Sequence, residues 1–91
     1  MDIIRELYSV VLDRKQNPEE GSYTNYLLNK GTEKIAKKVG EEAVETAIAA
    51  AKKNKQEVIG EIGDVVYHML VLMADLDISL EDVEKELRSR R

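Results

Sequence analysis

The 91-residue chain has no cysteine, tryptophan or phenylalanine, one proline and one histidine. Without cysteine there are no disulfides and no thiolate metal sites, and a reducing compartment suits the chain. No apolar run approaches the roughly 20 residues that a membrane span requires. Met1 is followed by the charged "DIIRE", which is not a signal-peptide pattern, so the expected location is the cytoplasm and no membrane partner is expected. Basic excess is also missing. The formal net charge is −4, against the basic surface on which general nucleic-acid affinity rests, so no nucleic-acid partner is expected.

What is present is 43% hydrophobic and 35% charged, the balance of a globular chain. The length suits one small domain, taken as residues 1–91. Its core must be thin, and pairing with a second copy is the expected remedy. Nothing alternates as a strand should. Helical spacing runs through "DIIRELYSVVLDR" from Asp2, with Asp2 a candidate N-cap, and Pro18 and Gly21 then break it. "SYTNYLLNKG" reads as a short helix or ordered loop closed at Gly31. Two long helices follow, from Thr32 to about Lys53 and from about Lys55 to Asp75. Ser79, three residues before Asp82, caps a last helix through about Arg88. The expected fold is all-α: an antiparallel helical bundle with two long central helices, completed by dimerisation.

Both long helices carry a polar stripe. On the first, Ile35, Val39, Ala43, Ala47 and Ala50 form one apolar arc and Val44, Ile48 and Ala51 a second. Lys34, Lys38, Glu41, Glu42 and Glu45 lie between them. On the second, Val58, Ile62, Val65, Val66, Met69, Leu72 and Met73 make a broad apolar face. Glu57, Glu61, Asp64, His68 and Asp75 run along the opposite line. Folding the hairpin near Asn54 sets Glu45 level with Asp64 and Ile48 level with Glu61. The pairs Glu42/Glu45 and Glu61/Asp64 then meet at nearly one height, each presenting oxygens from one helix face. Carboxylates gathered in a partly buried place must protonate, separate or bind cations. Oxygen ligands of this kind suit Mg²⁺ or Mn²⁺, and Mg²⁺ commonly shares its shell with phosphates. The other reading is a solvated acidic face on a helical dimerisation module, and the pattern of charges alone leaves both open.

"EEAVE" fits E-E-x-x-E, and "EIGD", fifteen residues later, fits E-x-x-D. Together they resemble the signature of the all-α nucleoside triphosphate pyrophosphohydrolases. "GSYTNYLLNKGTEKIAKKVGEEAVETAIAA", "EIGDVVYHMLVLMA" and "ISLEDVEKELRSR" narrow the likeness to the phosphoribosyl-ATP pyrophosphatase family, from about Ile3 to Arg88. That resemblance implies Mg²⁺-dependent hydrolysis of phosphoribosyl-ATP to phosphoribosyl-AMP and pyrophosphate, a step of histidine biosynthesis. It also implies a homodimer or dimer of dimers with sites near the interface. The metal ligands it assigns are Glu42, Glu45, Glu61 and Asp64, and Glu41 joins Glu42 and Glu45 as a candidate catalytic residue. The "SYT" piece, with Ser22 and Tyr23, is expected to border the site and help hold phosphate or ribose. Lys34 and Lys38 share the acidic sector and are candidates to hold the triphosphate, while Lys37 points aside. Ion pairing of Lys37 with Glu41 and Lys38 with Glu42 is the plainer use of these lysines. A sibling activity on another nucleoside triphosphate would use the same four acids. A di-iron bundle would want Glu-x-x-His pairs, and Tyr67 stands where Asp64 would need that histidine. His68, one turn beyond Asp64, is expected to be a partly buried, hydrogen-bonded imidazole. Gly40, Gly60 and Gly63 each cost a helix about 1 kcal/mol relative to alanine, and close helix crossing would offset that.

Overall fold

A computed structural model describes residues 2–91 as five helices, with no strand among the described residues. They are α1 (Asp2–Gln16), α2 (Tyr23–Lys30), α3 (Thr32–Ala51), α4 (Lys55–Asp75) and α5 (Leu80–Ser89). The all-α expectation is borne out, and the bounds of α3, α4 and α5 fall within two residues of those expected. Asp2 lies in the first turn of α1 rather than capping it. None of the helices is long and apolar enough to cross a membrane.

The helix ends follow from local chemistry. Ser22 caps α2 by accepting from the Asn25 N–H at 3.2 Å. Gly31 alone separates α2 from α3, at φ 97, a backbone conformation that side-chain-bearing residues rarely adopt. Asn54 caps α4 by accepting from the Glu57 N–H at 3.2 Å. Ser79 and Asp82 form a reciprocal capping box on α5. Buried Asn25 holds the loop before α2. Its amide donates to the Arg14 carbonyl at 2.7 Å and accepts from the Glu19 N–H at 2.9 Å.

The core occupies one end of the molecule, where α1 and α2 meet α3 and α4. It comprises Tyr8, Val11, Leu27, Ile35, Leu70, Val71 and Ala74. Lys15 crosses to the C-terminus of α4, donating to the Ala74 carbonyl at 2.7 Å and pairing with Asp77 at 3.0 Å. It thereby adds a donor to a carbonyl of the last turn that the Asp77 N–H reaches only at 3.4 Å. Arg5 ties α5 to α1 through Glu81 and Glu84, at 3.1 and 2.7 Å.

α3 and α4, each about 30 Å long by helix geometry, form an antiparallel hairpin that runs beyond this core. Its inward faces mix polar with apolar residues, as the meeting of the acid pairs requires. On α3 the inward line is Ile35, Val39, Glu42, Thr46 and Ala49, so it includes an acid. On α4, His68 is buried and Glu61 half-buried, while Glu57 and Asp64 of the same line stay exposed. The apolar face divides. Val65, Val66, Leu72 and Met73 are half-buried, whereas Ile62 and Met69 are exposed. Val44, Ile48 and Ile59 stand 60%, 54% and 62% exposed, so the widest apolar surface of the hairpin looks outward. A Cβ added at Gly40, Gly60 or Gly63 would meet nothing within 4 Å, so no helix of this chain crosses closely there.

Candidate active site

The hairpin register decides which acids meet. α3 ends at Ala51 and α4 starts at Lys55, with Lys53 at φ 57 as the middle of the turn. Equal distances from Lys53 put Glu45 level with Glu61, and Glu42 level with Asp64. The expected pairing of Glu45 with Asp64 is therefore displaced by about one turn, because the turn centres earlier than Asn54.

Glu42, Glu45 and Glu61 bring one carboxylate oxygen each to within 4.8 Å of one another. Glu42 is 8% exposed and Glu61 half-buried, while Glu45 is open to solvent. Glu61 Oε2 is shielded from solvent, and no donor reaches it. An ionised carboxylate only accepts, so Glu61 and Glu45 can share a hydrogen bond only when one of them holds a proton. That bond to Glu45, then burial, then the charges of Glu45, Glu42 and Asp64 raise the Glu61 carboxyl from 4.5 to about 7. The cluster thus retains a proton or takes up a cation, as crowded carboxylates must. Three convergent carboxylates, one of them with a stranded oxygen, fit a hard divalent ion.

Asp64 is exposed and stands outside this three-acid group, yet its charge acts on Glu61. Glu41 is likewise exposed and outside it. Lys38 bridges the two neighbouring acids of α3, its Nζ lying 3.6 Å from Glu41 and 3.5 Å from Glu42. Burial alone would lower the Lys38 pKa. Tyr23, Glu41 and Glu42 around it outweigh burial and raise it, so the ammonium stays charged. Lys34 is half-buried one turn earlier on α3, and Lys37 is exposed. The expected Lys38–Glu42 pair forms, whereas Glu41 pairs with Lys38 instead of Lys37.

From α2, Tyr23 reaches His68 on α4, its hydroxyl 3.1 Å from Nε2. The Nδ1 of His68 donates to the backbone carbonyl of Asp64 at 2.7 Å. Imidazole burial was expected, and its bond goes to Asp64's main chain. The hydroxyls of Thr24 and Tyr67 are hydrogen-bonded, and burial pushes the Tyr67 phenol up. Tyr26, Tyr23 and Tyr67 stack in a row with centroids 6.0 and 6.1 Å apart. Ser22 spends its hydroxyl oxygen on the α2 cap. The sequence reading did not bring Thr24, Tyr26 and Tyr67 together. The one available signal was the position of Tyr67 beside His68, on the inward side of α4.

The molecule is therefore a small all-α protein with a carboxylate cluster held between two antiparallel helices and a lysine and tyrosines at its edge. Residues 4–91 match the family described as phosphoribosyl-ATP pyrophosphohydrolase, and the chain belongs to that family. It is 55% identical over 91 residues to a phosphoribosyl-ATP pyrophosphatase of Clostridium novyi, covering 100% of this chain and 83% of that protein. A protein of the same name from Clostridium acetobutylicum is 57% identical over 89 residues, covering 98% and 81%. The histidine biosynthesis bifunctional protein HisIE of Thermoanaerobacter pseudethanolicus is 54% identical over 84 residues, covering 92% of this chain and 39% of that longer protein.

Proposed function

We propose that the chain hydrolyses phosphoribosyl-ATP to phosphoribosyl-AMP and pyrophosphate, the second step of histidine biosynthesis, with Mg²⁺ at the cluster and Mn²⁺ as an alternative. The observation that carries this reading is the stranded Glu61 oxygen among three converging carboxylates. Glu42, Glu45 and Glu61 would hold the ion, with Asp64, whose charge already acts on Glu61, as the fourth acid. A bound divalent ion would supply charge neutralisation for the phosphates and leaving pyrophosphate.

The protein's own groups do the rest. Lys38 meets the triphosphate as a fixed positive charge, and Lys34 extends that charge along α3. Ser22 and Tyr23 border the phosphate or ribose from the start of α2. Glu41 accepts the proton of the attacking water, since its carboxylate is exposed beside Lys38. Water adds at the α-phosphorus and the α–β bridging oxygen departs with pyrophosphate. The outward apolar face of the hairpin, with Val44, Ile48, Ile59 and Ile62 bare, is covered by a second copy in a homodimer or dimer of dimers. The cytoplasm is the assigned location.

Pyrophosphate release from phosphoribosyl-ATP, measured beside a panel of nucleoside triphosphates with and without Mg²⁺, tests the reading. Preferential, Mg²⁺-dependent release from phosphoribosyl-ATP is expected. Preference for a plain deoxynucleoside triphosphate would move the substrate assignment to a sibling activity.

A further inference from the structure

A cleft of about 450 Å³ opens where the loop after α1 runs into α2, and Glu19, Glu20, Ser22, Tyr23, Tyr26 and Asn29 line it. Two of these residues are large aromatics left nearly half in solvent, Tyr23 at 47% and Tyr26 at 44%. Their rings stack with planes 20° apart, so the pair is ordered without being buried. Stacking for stability alone would seal such rings in the core, where Tyr8 lies. The cleft adjoins the carboxylate site through Tyr23. Its hydroxyl is 3.1 Å from Nε2 of His68, and Nδ1 of that ring is 2.7 Å from the Asp64 carbonyl. The rings of Tyr67, Tyr23 and Tyr26 thus lead from α4 into the cleft in steps of 6.1 and 6.0 Å.

The lining selects by charge. The face of an aromatic ring carries the negative part of its quadrupole and attracts cations. Lys30 already answers that attraction, its Nζ 5.7 Å from the centroid of Tyr26, and as an exposed side chain it can be displaced. Glu19 and Glu20 add two carboxylates, which when ionised only accept hydrogen bonds. Arg14 takes Glu19 at 2.8 Å, while no cation among the described residues pairs with Glu20. Such a lining suits a flat group that carries positive charge and presents N–H donors.

The base of phosphoribosyl-ATP is such a group. Its second ribose is carried on N1 of the adenine, and substitution there turns N1, C6 and the exocyclic nitrogen into an amidine. That amidine is far more basic than adenine itself. The ring therefore holds a proton at neutral pH and spreads its charge over the plane, whereas the adenine of ATP is neutral. We propose that this cleft takes the cationic adenine, stacked on Tyr26 and Tyr23 with an exocyclic N–H donated to Glu20, and so separates phosphoribosyl-ATP from ATP. ATP offers the same triphosphate, but its neutral base leaves the Glu20 carboxylate without a countercharge. This inference deepens the phosphoribosyl-ATP reading and rests on it for the identity of the ligand.

The test compares binding of 1-methyladenosine 5′-monophosphate and 1-methylinosine 5′-monophosphate, followed by NMR titration of the tyrosine rings. Both carry a methyl on N1. The first is cationic at neutral pH, and the second, with a carbonyl in place of the exocyclic nitrogen, is neutral. The cation should bind about tenfold more tightly. Tyr26→Leu and Glu20→Gln should each bring that ratio to within about threefold, and Tyr26→Phe, which keeps the ring, should preserve it. Tyr26 and Glu20 are exposed, so neither change reaches the core. In turnover at saturating Mg²⁺, Tyr26→Leu should raise KM for phosphoribosyl-ATP about tenfold with kcat held within about twofold, the pattern of a lost binding contact, and Tyr26→Phe should restore it. Equal affinities for the two monophosphates, no binding of either, or a ratio that both Tyr26→Leu and Glu20→Gln retain, would overturn the inference. Absence of hydrolysis by the unaltered protein would sink the substrate reading, while the preference between the two monophosphates would still decide what the cleft takes.

Discussion

The two ends of this molecule are built on opposite principles. Where α1 and α2 clasp α3 and α4, Val11, Leu27, Ile35 and Val71 are almost wholly sealed and the enclosed polar groups find partners. Along the free part of the α3–α4 hairpin, Glu42 and Ala49 are the buried residues, carboxylates face one another, and isoleucines and valine face out. One end is stabilised by apolar burial within the chain. The other leaves two deficits, a knot of negative charge inside and bare apolar surface outside, and the proposed function assigns a cation to the first and a second copy to the second. On that proposal, stability and function divide along the length of the hairpin.

The largest effect expected is on chemistry at the free end. Glu45→Gln removes one of the proposed anionic ligands and should lower pyrophosphate release at least about 10³-fold, roughly 4 kcal/mol of barrier, with the helical circular dichroism unchanged. Near-normal turnover would break the assignment of this end as the catalytic one. Next in size is the clasped end. Leu27→Ala should cost about 2–5 kcal/mol in urea unfolding, as buried leucine truncations do. Ile48→Ala, at the same low protein concentration where chains are separate, should stay within about 0.5 kcal/mol. Equal losses would erase the distinction between the two ends. Placing charge on the outward face, as in Ile62→Glu, should shift the protein to monomer in sedimentation velocity while leaving helicity in place. An unchanged assembly would mean that another surface joins the copies.

The smallest effect is a pH dependence. The Glu61 carboxyl is raised from 4.5 to about 7, so between those values the folded chain holds a proton that the unfolded chain has released. Stability of the metal-free protein should then fall as pH rises through that interval, because the unfolded state binds fewer protons. Glu61→Gln should flatten the slope of Tm against pH there, and saturating Mg²⁺ should remove it by favouring the ionised cluster. A slope indifferent to both would mean that the crowding at Glu61 has no energetic consequence.

Helix limits were legible in the sequence because their signals are local: Ser79 with Asp82, Asn54, Gly31 and the spacing of apolar residues. Glu42, Glu45 and Glu61 were also legible as a convergent group, since two long helices joined by a short turn can hardly avoid bringing them near. The outward turn of the apolar residues was not. Amphipathic reasoning assigns apolar residues to the core, but Val44, Ile48 and Ile59 lie outside. In a chain with so thin a core, the broadest apolar face is free to serve another surface. The level of Glu45 was misplaced because it depends on the left-handed backbone at Lys53, a conformation no residue type there announces. Tyr23 meeting His68 spans 45 positions and arises only from how α2 packs on α4.

Titration of the metal-free protein with Mn²⁺, following the free ion by electron paramagnetic resonance and then competing with Mg²⁺, asks whether the crowded carboxylates are a cation site. Depletion of the free-ion signal by at least one ion per chain is predicted, reversed by Mg²⁺ and lost in both Glu45→Gln and Glu61→Gln. A signal identical to that of buffer alone, or depletion that both variants retain, would contradict it.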